Sequence, residues 1–228
     1  AYTSTILTIK GVPFVFSFLI AGLVSSFFGL LLVLATRKLK GDYYVLATLG
    51  FSFVVYSLFL NLTKITRGPI GIPGIPKPSI FGLIIQTNIQ YLVFVLLIAF
   101  IVVSLTYLII KSPFGKLLEA MRDDEIGLKV LGKNTDKLKY KAMMISAFFA
   151  GIAGSLFAHY ISFIDPSTFY INELILVITI VIVGGIASLR GSVIAPFIII
   201  LIPEILRFFP LPSSILGPAR QIIYALIL

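Results

Sequence analysis

The densest concentration of charge in this chain lies in residues 111–141, which carry eight basic and five acidic side chains. After Pro113 the spacing predicts a short amphipathic helix. Leu117, Leu118, Met121, Leu128 and Leu131 fall near one stripe, while Glu119, Arg122, Asp123 and Lys129 take other faces. Gly132 and Asn134 read as the helix stop. Helices that lie on lipid are rich in Lys and Arg on their polar face. Asp123-Asp124-Glu125 would instead be repelled by anionic headgroups, so the segment suits docking against protein better than adsorption on a membrane.

Other reactive residue types are sparse. His159, with Asp165 six residues on, has the chemistry of a general acid–base pair, but a lone His near a membrane interface is ordinarily structural. Glu204 and Arg207 are three apart and read as a salt bridge near a helix end or as a functional pair within the membrane. The chain has no Cys and one His, which excludes a disulfide framework, a thiolate metal site and a His-rich metal centre. It has no Gly-x-x-x-x-Gly-Lys-Ser/Thr segment, so an ATP-driven role requires a partner that binds the nucleotide.

The elements that must position these residues are apolar. Of 228 residues 59% are hydrophobic and 12% charged, with a mean hydropathy of +1.11. A soluble domain carries about 45–50% apolar and about 25% charged residues. The bilayer is therefore the expected solvent. The net charge of +9 then reads as basic residues flanking membrane spans, not as a nucleic-acid surface. Crossing the hydrocarbon takes roughly 20 apolar residues. Uncharged runs at 11–36, 43–63, 88–110 and 142–164 supply four spans. Runs at 174–189, with Gly184-Gly185, and at 191–209, with Pro196 and Pro203, predict two kinked or partly buried spans. Residues 221–228 begin another. Residues 1–11 lack a secretory-signal pattern, and the ends are expected to be trimmed or to lack flanking helices.

Charge asymmetry orients the spans. The 111–141 segment is expected on the cytoplasmic side and 165–173, with two acids and no Lys or Arg, outside. Counting spans places the Gly/Pro-rich loop 64–77 outside and the basic turn 37–40 inside. Small residues at Ala150-Gly151-Ile152-Ala153-Gly154 allow close helix contact in lipid. Polar groups within the spans are few.

Several segments together resemble one family. Glu119-Ala120 on a cytoplasmic amphipathic helix resembles the coupling helix of bacterial ABC importer permeases, with Met121 in place of the motif's second Ala and Gly127 displaced from its usual spacing. Arg122-Asp123-Asp124-Glu125-Ile126 followed by Leu131-Gly132 is similar to the branched-chain amino acid subfamily. Lys40-Gly41-Asp42-Tyr43-Tyr44 through Thr48, Arg67-Gly68-Pro69-Ile70-Gly71 and Gly184-Gly185-Ile186-Ala187 resemble other segments of its M-type subunit. The resemblance covers roughly residues 39–200.

It implies an all-α polytopic transmembrane helix bundle. Residues 1–228 would form a single permease domain with a cytoplasmic coupling helix and broken helices in the last third. The implied setting is a prokaryotic cytoplasmic membrane. The implied partners are a second permease, two ATP-binding subunits that hold ATP and Mg, and an extracytoplasmic substrate-binding protein; this chain itself would hold no cofactor. The resemblance assigns ATPase coupling to Glu119, Ala120, Arg122, Asp123, Asp124, Glu125, Gly127 and Gly132. It assigns the pathway or its gating to Gly41, Asp42, Tyr43, Thr48, Gly68, Pro69, Gly71, Gly184 and Gly185. Three rivals are a urea or short-chain amide permease, an ion-coupled secondary transporter and a membrane-embedded enzyme. The second needs buried coupling ionisables and the third a convergent catalytic set; neither is visible in the first four spans beyond His159.

Overall fold

The computed structural model describes residues 1–39, 41–80, 83–85 and 87–205. The described chain is mostly helical, as lipid demands, because each backbone N–H and C=O of a span must be bonded within its own segment. The helices are α1 (Tyr2–Ile9), α2 (Phe14–Thr36), α3 (Asp42–Asn61), α4 (Thr63–Thr66), α5 (Asn88–Lys111), α6 (Pro113–Asp123), α7 (Glu125–Val130), α8 (Thr135–Ile161), α9 (Ile171–Gly184) and α10 (Leu189–Ile205). Among the described residues, five segments are long and apolar enough to cross a membrane: Phe14–Thr36, Asp42–Asn61, Asn88–Lys111, Thr135–Ile161 and Pro166–Gly184. The 23 residues of α2 extend about 34 Å at 1.5 Å per residue, matching a hydrocarbon core of about 30 Å.

The chain divides into two compact units, Ala1–Pro166 and Ser167–Leu228. The first is organised by α2 packed along α8. A Cβ on Gly151 would stand 2.6 Å from the Ser25 Cβ and 2.8 Å from the Ala21 carbonyl oxygen, and one on Gly29 would stand 2.6 Å from the Ala147 Cβ. The two backbones thus approach through glycine, as the small-residue run predicts. Phe14, Phe18 and Ile152 form one apolar cluster beside this seam. At one end of the unit Tyr2, Ile72, Ile75, Ala158 and Ile164 form a second. There the Gly/Pro loop is tied to the chain beyond α8: β1 (Ile72–Pro73) pairs antiparallel with β4 (Phe163–Ile164). A second short ladder joins β2 (Ser79–Ile80) and β3 (Leu83–Ile84). The connector between α5 and α8 and the turn between α2 and α3 share the other end. This is the arrangement that alternating spans require.

Two boundaries differ from the sequence-based expectation. Helix α8 begins at Thr135, seven residues before the apolar run, because the Asn134 side chain caps it by accepting from the Lys137 N–H at 3.0 Å. Asn134 therefore opens a helix and does not stop one. Residues 2–9, to which the sequence pattern assigned no element, form α1, which packs on α2 and α8.

In the second unit the chain breaks as expected. Helix α9 ends at Gly184, Gly185 turns at φ +84°, and α10 starts at Leu189. Gly191 lies directly against the Gly184 backbone. Helix α10 stays helical past Pro196 and Pro203. Arg207, the last part of 191–209 and the further span begun at 221–228 lie outside the described residues, as does Lys40.

Candidate functional site

The charged connector is built by local capping. Helix α5 stops at Lys111. Ser112 donates to the Ile109 carbonyl at 2.6 Å and accepts from the Gly115 N–H at 3.3 Å, while Pro113 takes the first position of α6, where its missing N–H costs nothing. The predicted single helix is broken at Asp124. That residue is extended, with φ −150° and ψ 99°, and its carboxylate accepts from the N–H groups of Ile126 and Gly127, both at 2.9 Å. A cap of this kind satisfies otherwise orphaned donors and starts α7 afresh. Gly127 leaves room for it, since a Cβ there would stand 2.6 Å from Asp124 Oδ2. Gly132, with φ +75°, ends α7: its N–H bonds the Lys129 carbonyl and the Lys133 N–H bonds that of Leu128. This left-handed stop is one that Gly supplies without strain.

Glu125 is the electrostatic hub. Its carboxylate meets the Lys129 and Lys139 ammonium groups, each at 2.8 Å, and accepts from the Thr135 hydroxyl at 3.3 Å. Hydrogen bonding to Lys129 and then to Lys139 holds its pKa down at about 2, while the Lys129 pKa is raised by Glu125 in return. The side chain thus clamps α7 to the first turns of α8. Sequence reasoning had nominated Glu125 as one of three acids facing a partner. In the fold it and Asp124 are engaged within the connector. Arg122 and Asp123 pair with each other at 2.9 Å on the surface. Glu119 and Ala120 are exposed, and Glu119 makes no hydrogen bond or ion pair among the described residues.

The break at Asp124 also divides the apolar stripe. Leu128 is buried, whereas Leu131, expected beside it, is 75% exposed, along with Ile126 at 75% and Val130 at 82%. These three form an apolar patch on the outer side of α7. Its signal in the sequence was the i, i+4 pair Ile126 and Val130, which a single continuous helix hides.

At the same end a cavity of about 780 Å³ opens between α2, α3, α6 and α8. Val33, Arg37, Gly41, Tyr44, Met121, Glu125, Asp136, Lys139 and Met143 are among its walls. Asp42 opens α3, Tyr43 beside it is 74% exposed, and the Thr48 hydroxyl is spent on the Val45 carbonyl of its own helix at 2.9 Å. Gly68 and Pro69 lie in a 3-10 turn, Gly68–Ile70, followed by Gly71, at the opposite end of the unit, and Gly184 and Gly185 belong to the second unit. The nominated pathway residues of the first unit thus sit at its two ends and do not converge on one cavity.

His159 is buried between α1 and α8. Its Nδ1 lies 2.8 Å from the Ser155 carbonyl and 3.4 Å from the Ser4 hydroxyl, its Nε2 lies 3.2 Å from the Thr8 hydroxyl, and Phe14 packs edge-on at 4.8 Å. It pins α1 to α8. The Glu204 side chain and Arg207 lie outside the described residues. Among the described residues no group of three His, Cys, Asp or Glu could hold a metal ion.

Helices of membrane-crossing length, packed through glycine and joined by a capped, charged connector, define a polytopic α-helical membrane protein. The chain belongs to the family described as "Branched-chain amino acid transport system / permease component", which it matches over residues 1–228. It is 37% identical over 213 residues to the high-affinity branched-chain amino acid transport system permease protein LivM of Salmonella typhimurium, covering 83% of this chain and 50% of that protein. The Escherichia coli LivM is 36% identical over the same shares. A probable LivM of Methanocaldococcus jannaschii is 30% identical over 149 residues, 64% of this chain and 42% of that protein. The chain spans about half the length of the curated relatives it matches. No solved structure matches it significantly.

Proposed function

We propose that this chain is a membrane-spanning subunit of a prokaryotic ABC importer that moves branched-chain or related amino acids across the cytoplasmic membrane. Membership of the permease family over the whole chain carries this reading. Its work is translocation, not catalysis: ATP and Mg are held by two ATP-binding partner subunits. A second permease lines the passage with it, and an extracytoplasmic binding protein delivers the substrate. The connector faces the cytoplasm, consistent with its excess of basic residues.

Within this reading α6 and α7 are the coupling element. Glu119, Ala120, Arg122 and Asp123 on α6 and the patch Ile126, Val130 and Leu131 on α7 face the ATPase. Asp124, Glu125, Gly127 and Gly132 shape the element and hold it to α8. A rigid element is needed because a motion in the ATPase reaches the spans only through parts that do not yield. The pathway residues Gly41, Asp42, Tyr43, Thr48, Gly68, Pro69, Gly71, Gly184 and Gly185 would border the two mouths of the passage and its breaks.

The experiment compares two double variants in the assembled importer, Glu119→Lys with Asp123→Lys and Ile126→Asp with Val130→Asp. Losing contacts desolvated at an interface costs about 2–5 kcal/mol, enough to undock an ATPase. Copurification of the ATP-binding subunits and uptake of labelled leucine should fall together while the membrane level of the chain is maintained. Wild-type values of both would refute the docking assignment, and absence of leucine uptake by the unaltered importer would refute the substrate.

A further inference from the structure

Helices α5 and α8 make few close contacts. At the end away from the connector the Tyr91 hydroxyl donates to the Leu156 carbonyl at 2.5 Å, and the Tyr91 and Tyr160 rings lie 5.3 Å apart. From these tyrosines a groove of about 450 Å³ runs between the two helices to Val103 on α5 and Phe149 on α8. Side-chain size explains the gap. Ala99 on one wall and Ala153 on the other are too short to close it, and the valines of α5 are β-branched and stiff, so the wall is preformed. Every residue of both helices is described, so the lining that each contributes is complete. Apart from the two tyrosine hydroxyls the lining side chains are apolar. The Tyr91 hydroxyl is spent on Leu156, whereas that of Tyr160, a residue 59% exposed, makes no hydrogen bond among the described residues.

We propose that this groove is a binding site for one acyl chain of a phospholipid in the leaflet opposite the connector, with the lipid's glycerol esters beside the Tyr160 hydroxyl. The length fits: Tyr91 to Val103 spans 12 residues, about 18 Å at 1.5 Å per residue, against about 15 Å for half of the hydrocarbon core. The volume fits as well. A methylene takes up about the space of a water molecule, roughly 30 Å³, so the groove holds about 15 of them. Spread over its length, the volume gives a cross-section of about 25 Å², whereas an α-helix about 10 Å across needs about 80 Å². A further helix can therefore cover the groove but cannot fill it. Water is excluded, because a bound water needs two to four polar partners and the wall offers only hydroxyls at one end. An empty groove would forfeit the dispersion contacts of its lining. The tyrosines lie within one turn of their helix ends, at the headgroup level where this residue type is enriched.

The test is fluorescence quenching of the full chain in liposomes of dioleoylphosphatidylcholine mixed with its counterpart brominated at mid-chain. The chain has no Trp, so a single reporter has no background. Phe149→Trp places one at the inner end of the groove. Phe100→Trp places another on α5 outside the groove, at a residue 74% exposed. The Phe149→Trp signal should fall in direct proportion to the brominated fraction, as occupancy by one lipid demands. The Phe100→Trp signal should follow a curve, because several neighbouring lipids reach it. Adding Ala99→Leu and Ala153→Leu fills the groove between its mouth and Phe149. Quenching should then be lost at Phe149→Trp and kept at Phe100→Trp, with no fall in melting temperature, since both leucines enter free space. The comparison of the two reporters needs no filled variant, so it decides the matter even where filling disturbs the fold. No quenching at Phe149→Trp, the result if a helix seals the groove, overturns the proposal. So does a curve like that of Phe100→Trp, or quenching that survives filling, the results if bulk lipid merely brushes the wall.

Discussion

Replacing Glu125 by Gln should loosen the connector without unfolding the chain. The carboxylate makes two ion pairs at 2.8 Å, but it is 31% exposed and its lysine partners are 49% and 44% exposed, so water screens both. The pair with Lys139, which ties α7 to α8, contributes about 1 kcal/mol at most. That is a factor of about five in the equilibrium between closed and locally open α7. The assay is hydrogen exchange over residues 126–133, whose amides include the helix-ending bonds of Leu131, Gly132 and Lys133. Protection there should fall about fivefold in Glu125→Gln and stay unchanged in α2 and α5. The pH dependence has a definite sign. The Glu125 pKa is lowered from 4.5 to about 2, so its contribution is present above about 4.5 and disappears as pH falls towards 2. The difference between wild type and Glu125→Gln should therefore be full at neutral pH and close across that window. Equal protection in both proteins at neutral pH would refute the clamp.

Four further outcomes are expected. With single cysteines introduced into a chain that has none, Lys133→Cys should react with an impermeant thiol reagent only after permeabilisation and Ser167→Cys in intact cells; the reverse pattern would invert the topology. Gly151→Leu should lower the melting temperature in detergent, since overpacking against Ser25 and Ala21 costs about 1–3 kcal/mol, and an unchanged melt would deny the close seam between α2 and α8. Asp124→Ala should cost about 1 kcal/mol in local protection of α7 through loss of its cap, while Asp124→Asn retains most of it. The isolated chain should show no saturable leucine binding at micromolar concentration by equilibrium dialysis. The described spans offer few anchors for a zwitterion, and Thr48, Ser52 and Asn61 all bond carbonyls of their own helix.

Much of the architecture was legible in the chain itself. The uncharged runs marked the spans because burying a charge in hydrocarbon is so costly that its absence over 20 residues is informative. The glycines of α8 announced a close partner because only a missing side chain permits backbone approach. Gly184-Gly185 announced a break for the same reason in reverse, since that pair disfavours helix continuation. What the tertiary structure alone decided concerns partners. Which glycine met which helix, Gly151 on Ser25 or Gly29 on Ala147, depended on a register that no local pattern specifies. Asp123, Asp124 and Glu125 read as one acidic run, yet one pairs on the surface, one caps α7 and one clamps α8. Adjacent residues at a helix break point in unrelated directions, and only the folded backbone assigns each carboxylate its donor. Arg37 and Asp136 are 99 positions apart in sequence and face one cavity because α2 and α8 pack side by side. Local propensity carries information over a few residues, and the meeting of two helix ends across the bundle is set by packing alone.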